Sequence, residues 1–92
     1  MTEFLLEVYA TRTNSRAVEQ AARRARAAAE ALASEGPRVR FVRSIFVPED
    51  ETCFYVYEAD SVGTVREVAR RAGIAVDRVV EARSAEAKGE DQ

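Results

Sequence analysis

Ninety-two residues fit one domain with one core, and at that size folding hides only about 60–65% of the surface that the unfolded chain exposes. Fourteen basic and sixteen acidic side chains leave a formal charge of −2, which excludes a nucleic-acid binder relying on a basic field. No apolar run approaches the roughly 20 residues of a membrane span, and the absence of histidine excludes His-based triads and His-based zinc sites.

Glu3 to Ala10 alternates as a strand, with Phe4, Leu6 and Val8 on one face and Leu5, Glu7 and Tyr9 on the other. Its start, Met1-Thr2-Glu3-Phe4, lacks the basic segment of a secretory leader, so a soluble cytoplasmic protein is expected. Thr11 to Asn14 is polar and turn-like. Asn14 or Ser15 can cap a helix running to about Ser34, whose stripe of Val18, Ala21, Ala22, Ala25, Ala29 and Leu32 has the 3.6-residue period. The stripe is mostly alanine, so this helix can approach its partner closely. Arg23, Arg24 and Arg26 fall on the wet side, balanced by Glu19 and Glu30, and are read as solvated charge. Gly36-Pro37 ends the helix.

Val39 to Val47 is a second strand, with Phe41, Arg43 and Ile45 sharing a face. Pro48 to Glu51 is a polar turn whose carboxylates do not have the spacing of a calcium loop. Thr52 to Ala59 is the third strand, with Cys53, Tyr55 and Tyr57 opposed to Phe54, Val56 and Glu58. A second helix starts at Asp60 or Ser61 and ends near Ala72, before Gly73, burying Val62, Val65, Val68, Ala69 and Ala72. Glu67 and Arg71 stand i,i+4 along it. Gly63 inside it costs about 1 kcal/mol relative to alanine. Val79 to Arg83 is a short fourth strand. Residues 1–84 thus form one domain, and 85–92 a flexible charged tail.

The order β-α-β-β-α-β predicts a ferredoxin-like α+β fold: a four-stranded antiparallel sheet, spatial order 4-1-3-2, with both helices on one face. The other face then needs a cover. Leu5, Glu7 and Tyr9, Phe41, Arg43 and Ile45, Cys53, Tyr55 and Tyr57, and Glu81 are expected there, too apolar a surface for a monomer to leave in water. A homodimer through the open face follows as an expectation. One cysteine gives no disulfide to compensate for the small core.

Glu7, Arg43 and Glu81 are charges on a face otherwise apolar and aromatic. They are either the polar anchors of a small-ligand pocket or paired charges in a dimer core. The hydroxyls of Tyr9, Tyr55 and Tyr57 can bind a ligand or be the polar tips of interface packing. Cys53 has no cationic partner to activate it and is read as an ordinary small residue. These six residues, Glu7, Tyr9, Arg43, Tyr55, Tyr57 and Glu81, are the candidate site, for a small anionic or aromatic ligand with no cofactor. No catalytic residue is assigned; a cofactor-free monooxygenase or isomerase is the enzymatic alternative, resting on fold analogy.

Val42-Arg43-Ser44-Ile45-Phe46-Val47, Val56-Tyr57-Glu58-Ala59-Asp60, the run from Val65 to Gly73, and Asp77-Arg78-Val79 with Glu81 resemble domain of unknown function 4242, a family of small bacterial proteins that includes a nickel-binding protein. The resemblance is good over residues 39–83 and looser over the first strand. It implies a dimeric α+β barrel and metal binding, nickel foremost. Relatives commonly carry histidine where this chain has Arg43 and Val68, and cysteine where it has Tyr55. Nickel favours nitrogen ligands, so the resemblance carries over the fold and not the metal.

Overall fold

The computed structural model describes residues 1–83 and residue 85; the expected tail lies, beyond that residue, outside the described residues. The chain runs β1 (Thr2–Tyr9), α1 (Ser15–Ala33), β2 (Val39–Val47), a 3-10 turn (Pro48–Asp50), β3 (Thr52–Ala59), α2 (Val62–Ala72) and β4 (Arg78–Ala82). All neighbours in the sheet are antiparallel, in the order β2-β3-β1-β4, as the sequence predicts. This is a ferredoxin-like α+β fold.

Local chemistry sets the element ends. The Asn14 side chain accepts from the Ala17 N–H at 3.0 Å and starts α1, and the Ser61 hydroxyl accepts from the Thr64 N–H at 3.2 Å and starts α2. Gly73 closes α2 in the left-handed region, φ 70°, where a side chain would be strained. Glu51 holds a left-handed φ of 47° without being glycine. Its carbonyl accepts from the Ala10 N–H and its carboxylate from the Arg12 N–H, so the strained residue anchors the β1–α1 connection.

The core lies between the sheet and the helices. Ala25, Ala28, Ala29 and Leu32 of α1 and Val65, Val68, Ala69 and Ala72 of α2 meet Phe4, Leu6, Cys53, Tyr55, Tyr57 and Ala59. The alanines let α1 lie close, and the tyrosines fill the space that small side chains leave. Outside the core, Arg71 joins the helices through Glu35 at 2.6 Å and Glu67 at 2.9 Å, with Arg70 on Glu67 at 2.7 Å.

Three of the expected phase assignments, on β3, β2 and β4, differ from the observed register. Residues opposite one another in an antiparallel pair share a face. Tyr55 lies opposite Leu6, and Tyr57 opposite Phe4, so β3 turns Cys53, Tyr55 and Tyr57 toward the helices, away from the open face. Phe41 joins them: its ring packs edge-on against Tyr57 at 5.4 Å. A bulge between Phe41 and Arg43 then flips β2, so that Arg43 and Ile45 do reach the open face, opposite Val56 and Phe54. Glu81 pairs with Phe4 and is likewise on the helix-side phase, at the sheet's edge.

Candidate functional site

The register arranges the open face in rows. Arg78, Glu7, Phe54 and Ile45 form one; Val80, Leu5, Val56 and Arg43 the next; Ala82, Glu3, Glu58 and Arg40 a third; Tyr9, Thr52 and Val47 lie at the end beside the 3-10 turn. Val56 is buried yet does not belong to the helix-side core, because its neighbours are the side chains of this second face. Arg40 pairs with Glu58 at 2.9 Å and Arg78 approaches Glu7 at 3.8 Å. Arg43 is exposed at the end of the apolar row and has no ion-pair partner among the described residues.

The six sequence-predicted residues therefore divide. Glu7 and Arg43 stand on the open face as expected. Tyr9 has the phase of that face but sits at the strand end, 64% exposed. Tyr57 is fully buried against α1, where its hydroxyl donates to the Ala25 carbonyl at 3.1 Å, and burial pushes its ionisation well above the usual tyrosine range. Tyr55 is 1% exposed and its hydroxyl interacts with the Cys53 thiol; burial raises the ionisation of both groups. Glu81 is more than half exposed beside Arg83 at 3.6 Å.

A cavity of about 390 Å³ lies at the opposite side of the sheet, between the end of β1, the first half of α1 and the 73–77 connection. Val8, Val18, Ala21 and Ile74 give it apolar walls; Tyr55, Arg24 and Asp77 supply polar groups, and Tyr9 and Asn14 also border it. Arg24 is held there by its Nε, which donates to the Ala72 carbonyl at 3.1 Å and satisfies a carbonyl at the C-terminus of α2. Its neighbour Arg26 lies over the Phe41 ring at 5.5 Å. Both arginines are exposed, as the sequence reading expects, but each also has a fixed contact that the reading did not include. The missed signal is spacing: Ala21, Arg24 and Ala28 stand three and four apart, which sets Arg24 on the margin of the buried stripe.

A family profile described as "Nickel responsive protein SCO4226-like" matches residues 10–82. The crystal structure of SCO4226 from Streptomyces coelicolor A3(2) is similar with a TM-score of 0.71 and 24% sequence identity, over 91% of this chain and 99% of that one. No curated protein sequence matches. The name expected from the residues, domain of unknown function 4242, is compatible with that family without being the one matched. The donor chemistry does not fit an imidazole-based nickel centre. There is no histidine; the one thiol is buried, protonated by its surroundings and turned into the core; and among the described residues no three His, Cys, Asp or Glu side chains converge.

Proposed function

The chain belongs to the nickel-responsive SCO4226-like family, and from that premise we propose that it is a non-catalytic, homodimeric protein whose open sheet faces meet and enclose a small ligand. The observation that carries this reading is the row Val80, Leu5, Val56 and Arg43: three apolar side chains across the sheet, ending in a cation with no ion-pair partner among the described residues. Four strands at roughly 4.8 Å and four rows at roughly 6.8 Å cover on the order of 500 Å² in projection. That is the scale of half a standard interface, about 800 Å² of accessible surface per partner. The face carries Arg40, Arg43 and Arg78 against Glu3, Glu7 and Glu58, so a second copy meets no net charge of its own sign.

Arg43 is suited to the anionic part of such a ligand, with Glu7 on the same face one row along and two strands away. The cofactor-free enzyme reading needs a dry carboxylate as base. Glu81 lies off the open face with 53% of its side chain exposed, and Glu7 stands 3.8 Å from the Arg78 guanidinium, which favours binding over catalysis. Among the described residues no helix is long and apolar enough to cross a membrane.

Light scattering tests the assembly: a stable dimer at about 50 μM that Leu5→Arg converts to a folded monomer is the expected result, and a monomeric wild type refutes it. Thermal shift against a metabolite panel tests the pocket. Some compound must stabilise the wild type more than Arg43→Ala, or the ligand reading loses its basis.

A further inference from the structure

The cavity beside α1 is separate from the open face and is complete within one chain. Its volume, about 390 Å³, lies inside the range of small-molecule sites, and its lining is apolar over most of its surface, with polar groups from Tyr9, Thr11, Asn14, Arg24, Tyr55 and Asp77. Two of those polar groups are donors fixed by their own contacts. Arg24 is tethered through Nε to the Ala72 carbonyl, which leaves its terminal N–H groups to bind. Tyr55 is 1% exposed on this lining, and among the described residues its hydroxyl has only the neighbouring Cys53 thiol as partner, a weak acceptor that a carboxylate outcompetes for the hydroxyl proton. Burial keeps this hydroxyl protonated, and thus a donor, through the whole neutral range. The walls are set by parts of the fold that do not depend on a partner chain: the Glu51 anchor holds 10–12 in place, and the Asp77 N–H donates to the Glu7 carbonyl at 2.9 Å. The end of the described chain is remote, because β4 carries it to Ala82, beside Glu3 at the other end of β1.

We propose that this cavity binds a small amphipathic carboxylate, its head between the Arg24 guanidinium and the Tyr55 hydroxyl and its aromatic or branched aliphatic body against Val8, Val18 and Ile74. Asp77, on the lining, favours the anion lying at the Arg24 side and disfavours a second carboxylate. Phenylacetate is the probe, with phenylacetamide as its neutral isostere and phenethylamine as its cationic one. Titration into ¹⁵N-labelled protein should move amides confined to 8–11, 17–24, 54–56 and 73–77, with a dissociation constant of about 1 mM or tighter, as expected for a ligand of this size. The amide and the amine should bind at least tenfold more weakly, a comparison made on the wild type alone. Arg24→Gln should weaken phenylacetate at least tenfold, and Ala17→Phe, which puts a ring into the cavity from an exposed helix position, should abolish it with the fold retained. Absence of shifts, equal affinity for the amide, preference for the amine, or indifference to both substitutions overturns the proposal. Shifts at 5, 43, 45 and 80 instead would place the probe on the open face, overturning this site while leaving the dimer reading intact.

Discussion

Replacing Tyr57 by phenylalanine separates the two faces of the sheet energetically. The ring is fully buried against α1 and its hydroxyl donates to the Ala25 carbonyl at 3.1 Å. Ala25 lies inside α1, so its carbonyl keeps a helical partner, and the loss is one net hydrogen bond rather than an orphaned group. Such a bond contributes about 1 kcal/mol. For a domain of this size that lowers Tm by about 4–8 °C at fixed protein concentration. The substitution also changes the alkaline limb. Burial raises the ionisation of both Tyr55 and Tyr57 above the ordinary value of 10.0, so above that pH the folded chain holds protons that the unfolded chain has lost. Their contribution is fully present below pH about 10 and falls as pH rises beyond it, by up to about 1.4 kcal/mol per pH unit for each tyrosine. Tyr57→Phe should therefore roughly halve this slope. Circular-dichroism melts at pH 7 to 11 measure both effects. A Tm shift under 1 °C at pH 7 would refute the helix-side placement. So would ultraviolet titration showing two tyrosines of the wild type ionising near pH 10 with the fold intact.

Three further outcomes follow from the same structure. Gly63→Ala should stabilise the chain by about 0.5 kcal/mol, because a Cβ there meets only the Ser61 hydroxyl at an ordinary 3.8 Å; a lower Tm in urea or heat melts would contradict it. Hydrogen bonds from Arg70 and Arg71 hold the Glu67 carboxyl down to about 2, so its contribution is present above pH about 4.5 and is lost as pH falls toward 2; Glu67→Gln should flatten that acid limb, and added salt should shrink the difference. Calorimetric titration with nickel at micromolar protein should release no heat of binding, and a stoichiometric isotherm would show that donors outside the described convergence assemble a site.

The fold was legible because each element carries a local instruction: Asn14 and Ser61 cap, Gly73 terminates, and apolar residues repeat at the period of the element they build. The face of each strand was not equally legible. In β3 both phases are large and apolar, Phe54 and Val56 against Tyr55 and Tyr57, so alternation alone leaves open which set meets the helices. In β2 one extra residue at the bulge reverses the phase midway, and no periodicity extrapolated through Val42 can be right on both sides of it. Volume could have decided the first case. A helix that buries Ala25, Ala28 and Ala29 leaves a layer that only large partners fill, and Tyr55 and Tyr57 are the largest fully buried side chains of the described chain. The same complementarity explains the cavity. Where α1 continues its small residues toward its N-terminus, through Ala21 and Ala17, the sheet no longer supplies a tyrosine opposite them, and the unfilled volume opens beside the Tyr55 hydroxyl. A site of this kind arises from a mismatch between two individually regular elements, so it has no motif of its own and becomes visible only once the register is known.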